Sequence, residues 1–195
     1  MLKEGDKAPN FSLDTVFPDD SQRRISLADF ADQTLVLYFY PKDSTPGCTR
    51  EGQAFSAAKR AFEKAGATVV GVSRDSLKSH CSFRDKFGLS IPLATDPDLK
   101  AHQAYGAWGE KTMYGKKILG CIRSTFVIQG GRIARVFPSV KVDGHADAVL
   151  DAIGAPAPAK AKAKAKATAT PKKKTAAKKT ATTKKTTAAK TKKGK

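Results

Sequence analysis

Thr34-Leu-Val-Leu-Tyr-Phe-Tyr40-Pro-Lys-Asp-Ser-Thr-Pro-Gly-Cys48-Thr49 decides how this chain is read. Its first seven residues are an unbroken apolar and aromatic run that stops at a proline. Such a run fits a strand buried on both faces, as in the middle of an α/β sheet. The next residues form a polar loop with two prolines. After it, Thr49 to Lys64 is rich in Ala, Glu, Lys and Gln and ends at Gly66, which predicts a helix. Cys48 therefore stands where a buried strand and loop give way to a helix N-terminus.

Working outward, Ala67–Ser73 repeats the buried-strand pattern, and a shorter strand is expected over Pro92–Thr95. Ser124–Gln129 and Arg132–Phe137, joined by Gly130-Gly131, read as an antiparallel hairpin. Helices are expected from Asp75, as cap, to Phe87 with Gly88 closing it, from Leu99 to Tyr105, and from His145 to Ile153. Strands alternating with helices and ending in a hairpin predict an α/β fold, a mixed central sheet flanked by helices.

The chain changes character near residue 154. Every aromatic, cysteine and acidic residue lies before that point, and residues 155–195 are only Ala, Lys, Thr, Pro and one Gly. Of the 36 basic residues, 15 are lysines within 160–195, leaving 21 against 18 acidic residues in the body. The expected organisation is a globular domain over 1–154 and a basic tail over 155–195. The body is long enough to bury one core without staples. The start, Met-Leu-Lys-Glu-Gly-Asp, has no apolar segment of a secretory leader, and no run is long enough to span a membrane. Three cysteines, an odd number, fit a reducing compartment and a thiol kept for its reactivity.

Cys48 is the candidate nucleophile. A helix N-terminus offers unpaired N–H groups and the positive end of the dipole, both of which favour a thiolate. Thr45 can hydrogen-bond the sulfur or an approaching oxygen, and Arg123, just ahead of a strand, is the candidate cation. The bland alternative is a small buried cysteine at a helix start. His80, His102 and His145 show no metal-ligand spacing and are expected to be surface or capping residues. No metal or cofactor is expected. Residues 109–117 only faintly resemble a phosphate loop, with wrong spacing and no Ser or Thr after the Lys. Trp108 and Tyr114 are expected at the rim of the site, and Cys121 as a structural thiol.

The body resembles the peroxiredoxin Q class, also called bacterioferritin comigratory protein. The likeness runs from Gly5-Asp-Lys-Ala-Pro-Asn-Phe11 to the last helix. Pro41, Thr45 and Cys48 have the spacing of the peroxiredoxin motif, supported by Tyr38-Phe-Tyr-Pro-Lys42, by the Trp108–Lys116 segment and by Arg123-Ser-Thr-Phe126. The resemblance implies a thioredoxin-like fold and thiol-dependent reduction of hydrogen peroxide and organic hydroperoxides. Cys48 would attack the peroxide and become a sulfenic acid, Thr45 and Arg123 would bind and polarise it, and Pro41 would shield the sulfur. Glu51 would orient Arg123, or simply serve the helix dipole.

Many members carry a second cysteine five residues after the first; here Gln53 stands there. Others carry it on the helix after the next strand, about one turn beyond Cys81, near Arg84. Cys81 is thus the candidate resolving residue, reduced in turn by thioredoxin or a similar dithiol. It would otherwise pack beside Leu77, leaving a one-Cys enzyme. A monomer or weak dimer is expected.

The tail opens with Ala155-Pro-Ala-Pro158, then loose Lys-Ala, Ala-Ala-Lys-Lys and Thr-Thr-Lys-Lys repeats. With no large apolar residue it is expected to be disordered when free. It resembles linker-histone and bacterial histone-like tails. Lys160, Lys162, Lys164, Lys166, Lys172, Lys173, Lys174, Lys178, Lys179, Lys184 and Lys185 are the candidate phosphate contacts. Lysine without aromatics contacts phosphates but reads no bases, so non-specific DNA or RNA is the expected partner, with polyphosphate, anionic lipid or simple solubilisation as alternatives. The implied place is cytoplasmic and nucleoid-associated, or nuclear in a eukaryote. A nucleic-acid packaging protein using the fold as a scaffold is the competing class.

Overall fold

The computed structural model describes residues 2–113 and 116–153. Its elements in order are β1 (Ser12–Val16), β2 (Gln22–Ser26), a 3-10 turn (Leu27–Phe30), β3 (Thr34–Phe39), α1 (Pro46–Lys64), β4 (Ala67–Ser73), α2 (Leu77–Phe87) and β5 (Leu93–Thr95). Then follow α3 (Lys100–Ala104), β6 (Trp108–Met113), β7 (Lys116–Cys121), β8 (Ser124–Gln129), β9 (Arg132–Phe137) and α4 (His145–Ala152). Seven strands form one sheet in the order β2-β1-β5-β4-β3-β8-β9, and β6 pairs only with β7. β3 lies parallel to β4 and antiparallel to β8, so the sheet is mixed as expected.

The centre of the sheet is buried on both faces because β3 supplies apolar side chains to each in alternation. Leu35, Leu37 and Phe39 join Val70, Val72, Phe126, Ile128 and Tyr105 in one cluster. Val36, Tyr38 and Tyr40 join Phe55 and Phe62 of α1, Phe83 of α2, and Val149 and Leu150 of α4 in the other. Cys48 belongs to this second cluster. The packing of α1 against β3 and β4 therefore fixes where the sulfur sits.

Several local expectations shift by a few residues. α1 begins at Pro46 rather than Thr49, because proline suits the first helical position, where its missing N–H costs nothing. α2 is capped by Ser76, whose hydroxyl accepts from the Ser79 N–H, and not by Asp75, whose carboxylate is engaged elsewhere. Gly88 closes α2 at φ 64°, the left-handed position where glycine is favoured. Lys160 to Lys195, Tyr114 and the spacer at Pro156 and Pro158 lie outside the described residues. Among the described residues, no helix is long and apolar enough to cross a membrane, and no three His, Cys, Asp or Glu side chains gather as metal ligands.

Tyr38 lies flat over β4, opposite Gly71 in the β3–β4 register, and stacks on Phe55 with centroids 4.7 Å apart. A methyl group at position 71 would stand 2.6 Å from the Tyr38 hydroxyl oxygen. Gly71→Ala should therefore lower stability by about 1–3 kcal/mol through overpacking. Urea unfolding measures it, and an unchanged midpoint would mean that Tyr38 has room to move.

Candidate active site

Between β3 and α1 the chain crosses the sheet's end in a short loop, Tyr40 to Thr45. Ser44 adopts φ 58°, a left-handed conformation that a non-glycine residue takes only when neighbours hold it there. This turn brings Thr45 to the N-cap and makes Cys48 the third residue of α1, among the first-turn N–H groups that have no intrahelical partner. The sulfur is buried, 1% exposed, and all three cysteines are free thiols.

Arg123 enters from the start of β8. Its backbone carbonyl accepts the Val140 N–H at 2.9 Å. Its Nη2 donates to Cys48 Sγ at 3.2 Å, and its Nη1 donates to Glu51 Oε2. One guanidinium thus bridges the sulfur and a carboxylate three residues further along the same helix. Burial works against its charge, but Glu51 and Cys48 outweigh burial and leave its pKa above the ordinary arginine value.

Glu51 is 1% exposed, with Oε1 lacking a hydrogen-bond partner among the described residues. Burial pushes its carboxyl up to about 7, with Arg123 pulling the other way. Thr45 makes no hydrogen bond to the sulfur among the described residues; its hydroxyl donates to the Lys42 carbonyl at 3.0 Å. Pro41 is half-buried in the same loop.

The other cysteines differ sharply from Cys48. Burial pushes the Cys121 thiol up to about 12, so it stays protonated. Cys81 is half-buried on α2, with Gln22 Nε2 at 3.7 Å from its sulfur. Gln53 is exposed and reaches the Phe87 carbonyl at 3.4 Å.

The histidines correct the expectation of surface or capping roles: His80 and His102 are 0% exposed and His145 6%. Each lies on the inward face of its helix, a position legible in the spacing Leu77, His80, Phe83, Phe87. His80 meets Asp43, His102 meets Asp96 at 2.7 Å, and His145 Nε2 meets the Thr125 hydroxyl at 2.8 Å. Burial, helped by the Arg123 charge, lowers His145 to about 4, so it is neutral beside the site. Asp43 and Tyr40, which hold the loop, escaped the sequence reading because their partners lie on α2, far along the chain.

Comparison with known proteins agrees with this geometry. The AhpC/TSA family model matches residues 4–136. The chain belongs to the AhpC/TSA family. It is 51% identical over 133 residues to Peroxiredoxin Bcp of Xanthomonas campestris pv. campestris, a match covering 68% of this chain and 83% of that protein. A solved structure of the X. campestris bacterioferritin comigratory protein, studied for its alkyl peroxide reduction activity, is 46% identical with TM-score 0.67, covering 73% of this chain and 89% of that one. A Xylella fastidiosa PrxQ structure, a Cys-to-Ser variant, is 42% identical with TM-score 0.70, covering 77% and 94%. The fold is thus the thioredoxin-like peroxiredoxin fold, and the protein is a thiol peroxidase, an oxidoreductase of the peroxiredoxin kind.

The raised Glu51 carboxyl has a measurable consequence. Its native pKa, about 7, exceeds the ordinary 4.5, so the folded protein holds this proton more tightly than the unfolded chain. The stability linked to it is complete below about pH 4.5 and is lost as pH rises through about 7. Gln at position 51 is a neutral stand-in for the protonated acid. Wild type should therefore lose stability relative to Glu51→Gln across that window, read by denaturant unfolding at several pH values. A difference that does not change with pH would contradict a buried carboxyl of raised pKa.

Proposed function

We propose that Cys48 is the peroxide-reducing thiolate, with Arg123 and Thr45 as its peroxide-binding partners. The observation that carries this is the Arg123 Nη2 to Cys48 Sγ contact of 3.2 Å at the third residue of α1. A cation and a helix N-terminus together favour the ionised sulfur, which is the form that attacks an electrophilic oxygen. The thiolate forms an S–O bond to one peroxide oxygen, the O–O bond breaks, and the other oxygen leaves as water or an alcohol. The protein sulfur gains two oxidation levels and becomes a sulfenic acid.

Arg123 donates to the oxygen on which negative charge gathers, a term that grows toward the transition state. The Thr45 hydroxyl hydrogen is committed to the Lys42 carbonyl, so its oxygen is left to accept the peroxide O–H. Pro41 covers the sulfur from water, and Glu51 orients the guanidinium. Hydrogen peroxide and organic hydroperoxides are the substrates, the latter supported by the alkyl peroxide activity of the X. campestris relative.

Cys81 then resolves the sulfenic acid, giving a Cys48–Cys81 disulfide that thioredoxin or a similar dithiol reduces. The exposure of Cys81 relative to Cys121, and the high pKa of the latter, favour this choice between the two remaining thiols. Residues 155–195 form a separate tail that binds nucleic acid through its lysines, holding a monomeric or weakly dimeric peroxidase in the cytoplasm at the nucleoid, or at chromatin in a nucleus.

In a thioredoxin-coupled peroxidase assay, Cys48→Ser should abolish turnover; retained activity would remove Cys48 from its role. For the tail, the full chain and a truncation after Gly154 are compared for DNA mobility shift. Engaging about 6 phosphates should cost the full chain roughly 10³ in affinity between about 50 and 200 mM salt, while the truncation binds little. Equal shifts would refute the tether.

A further inference from the structure

Asp43 stands in the loop five residues before Cys48, and its carboxylate is buried, 6% exposed. The Tyr40 hydroxyl donates to its Oδ1 at 2.8 Å, and the Ser79 hydroxyl donates to its Oδ2 at 2.7 Å. His80 Nδ1–H donates to the same Oδ2 at 2.9 Å, while His80 Nε2 has no partner among the described residues. The Asp43 backbone N–H donates to Asp75 Oδ2 at 2.9 Å. A carboxylate away from water needs donors on each oxygen, and here they come from β3's end and from α2. None of these groups takes part in the peroxide chemistry assigned to Cys48, Thr45 and Arg123.

The position of these donors in the chain gives the network its meaning. Ser79 and His80 immediately precede Cys81 on α2, and Asp43 lies in the loop that leads into the first turn of α1. The carboxylate therefore ties the segment carrying one redox thiol to the segment carrying the other. A disulfide needs the two Cα atoms within about 7 Å and the two sulfurs in bonding contact. Cys48 is buried within α1 against Arg123, and Cys81 sits on a different helix beside Gln22. Bringing them together requires the start of α1 or the middle of α2 to leave its present packing. Asp43 adjoins the start of α1 along the chain and the middle of α2 through Ser79 and His80.

We propose that the Asp43 carboxylate, held by Tyr40, Ser79 and His80, is a gate on the resolving step. The inference rests on the proposed role of Cys81. With the tie closed, the loop and α1 hold Cys48 ready for peroxide. With the tie released, Cys81 reaches the oxidised sulfur. The Cys81 sulfur then attacks Cys48 Sγ, an S–S bond forms, and the S–O bond of the sulfenic acid breaks. Hydroxide leaves and takes up the thiol proton as water, and Cys81 supplies the electrons that reduce the sulfenic acid to the disulfide level. Asp43 and His80 are positioning residues in this scheme, since neither touches the substrate.

A closed gate also leaves the sulfenic acid exposed to a second peroxide molecule, which would carry it on to the sulfinic acid. The balance between disulfide and sulfinic acid is thus the readout that a merely structural role would not shift in a directed way.

The test uses the full-length, pre-reduced chain as wild type, His80→Leu, His80→Asn and Ser79→Ala. Each is mixed with one equivalent of hydrogen peroxide, quenched with an alkylating reagent over time, and analysed by mass spectrometry for the peptide joining Cys48 to Cys81. A parallel series at excess peroxide measures Cys48 sulfinic acid. Losing a hydrogen bond to a buried carboxylate should speed disulfide formation about ten-fold in His80→Leu and a few-fold in Ser79→Ala, with less sulfinic acid in both. His80→Asn places an amide N–H where Nδ1–H stands and should restore wild-type behaviour to within about two-fold. Ser79→Ala removes a single hydroxyl, so it decides the matter if His80→Leu fails to fold by circular dichroism. Joined peptide appearing at equal or slower rates in the Leu and Ala variants overturns the gate and leaves Cys81 as resolver. Absence of the joined peptide in wild type overturns the Cys81 assignment and the gate with it.

Discussion

The Arg123 guanidinium, shared between the Cys48 sulfur and the Glu51 carboxylate, is the contact around which the body is arranged. It brings together two elements far apart in sequence, the first turn of α1 and the start of β8. The cation pulls against the desolvation of the buried Glu51 carboxyl but does not cancel it, since that group still stands at about 7. Burial, with the nearby Glu51 charge adding to it, pushes Cys121 up to about 12, although it lies only two residues from the same arginine. Among the three cysteines, Cys48 alone has an arginine side chain donating to its sulfur among the described residues.

The sheet supplies that placement. β3 is buried on both faces, so its direction and register are fixed by cores above and below it. Its last residues must then turn sharply, through the left-handed Ser44, and the turn is secured by the Thr45 hydroxyl donating to the Lys42 carbonyl and by the buried Asp43. A catalytic loop held in this way can present a sulfur with little reorganisation when peroxide arrives. The same fixation would oppose the movement that the proposed Cys48–Cys81 disulfide requires, and the proposed tie between loop and α2 would have to release first.

What could be read from the sequence follows from the range of each interaction. The strands Thr34–Phe39 and Ala67–Ser73 are legible because continuous apolar runs have few other uses. The local pattern of strand, proline loop and helix start places Cys48 at a helix N-terminus, while its role rests on the family resemblance. Edge strand β2, Gln22-Arg-Arg-Ile-Ser26, shows only Ile25 to the core, so its pattern gave no signal. The β6–β7 ribbon lies outside the main sheet and carries a mixed polar sequence that predicts nothing definite. Arg123 stands out as a cation just ahead of a strand, and Glu51 only through the family resemblance, one helical turn after Cys48. The Asp43 network could not be read, because Tyr40 and His80 stand forty residues apart and only the fold makes them neighbours. The histidines are buried where surface or capping roles are expected, because their partners, such as Asp43 for His80 and Thr125 for His145, come from other elements.

In the proposed reaction Arg123 makes Cys48 the peroxide-reducing sulfur. The most direct measurement is the second-order rate constant for the pre-reduced chain with hydrogen peroxide, followed by stopped flow in wild type and Arg123→Met. Loss of a preorganised cation from the site should slow the reaction about 100-fold or more, with the disulfide chemistry downstream left out of the observed phase. A rate constant unchanged by removing the guanidinium would show that Arg123 does not activate the sulfur.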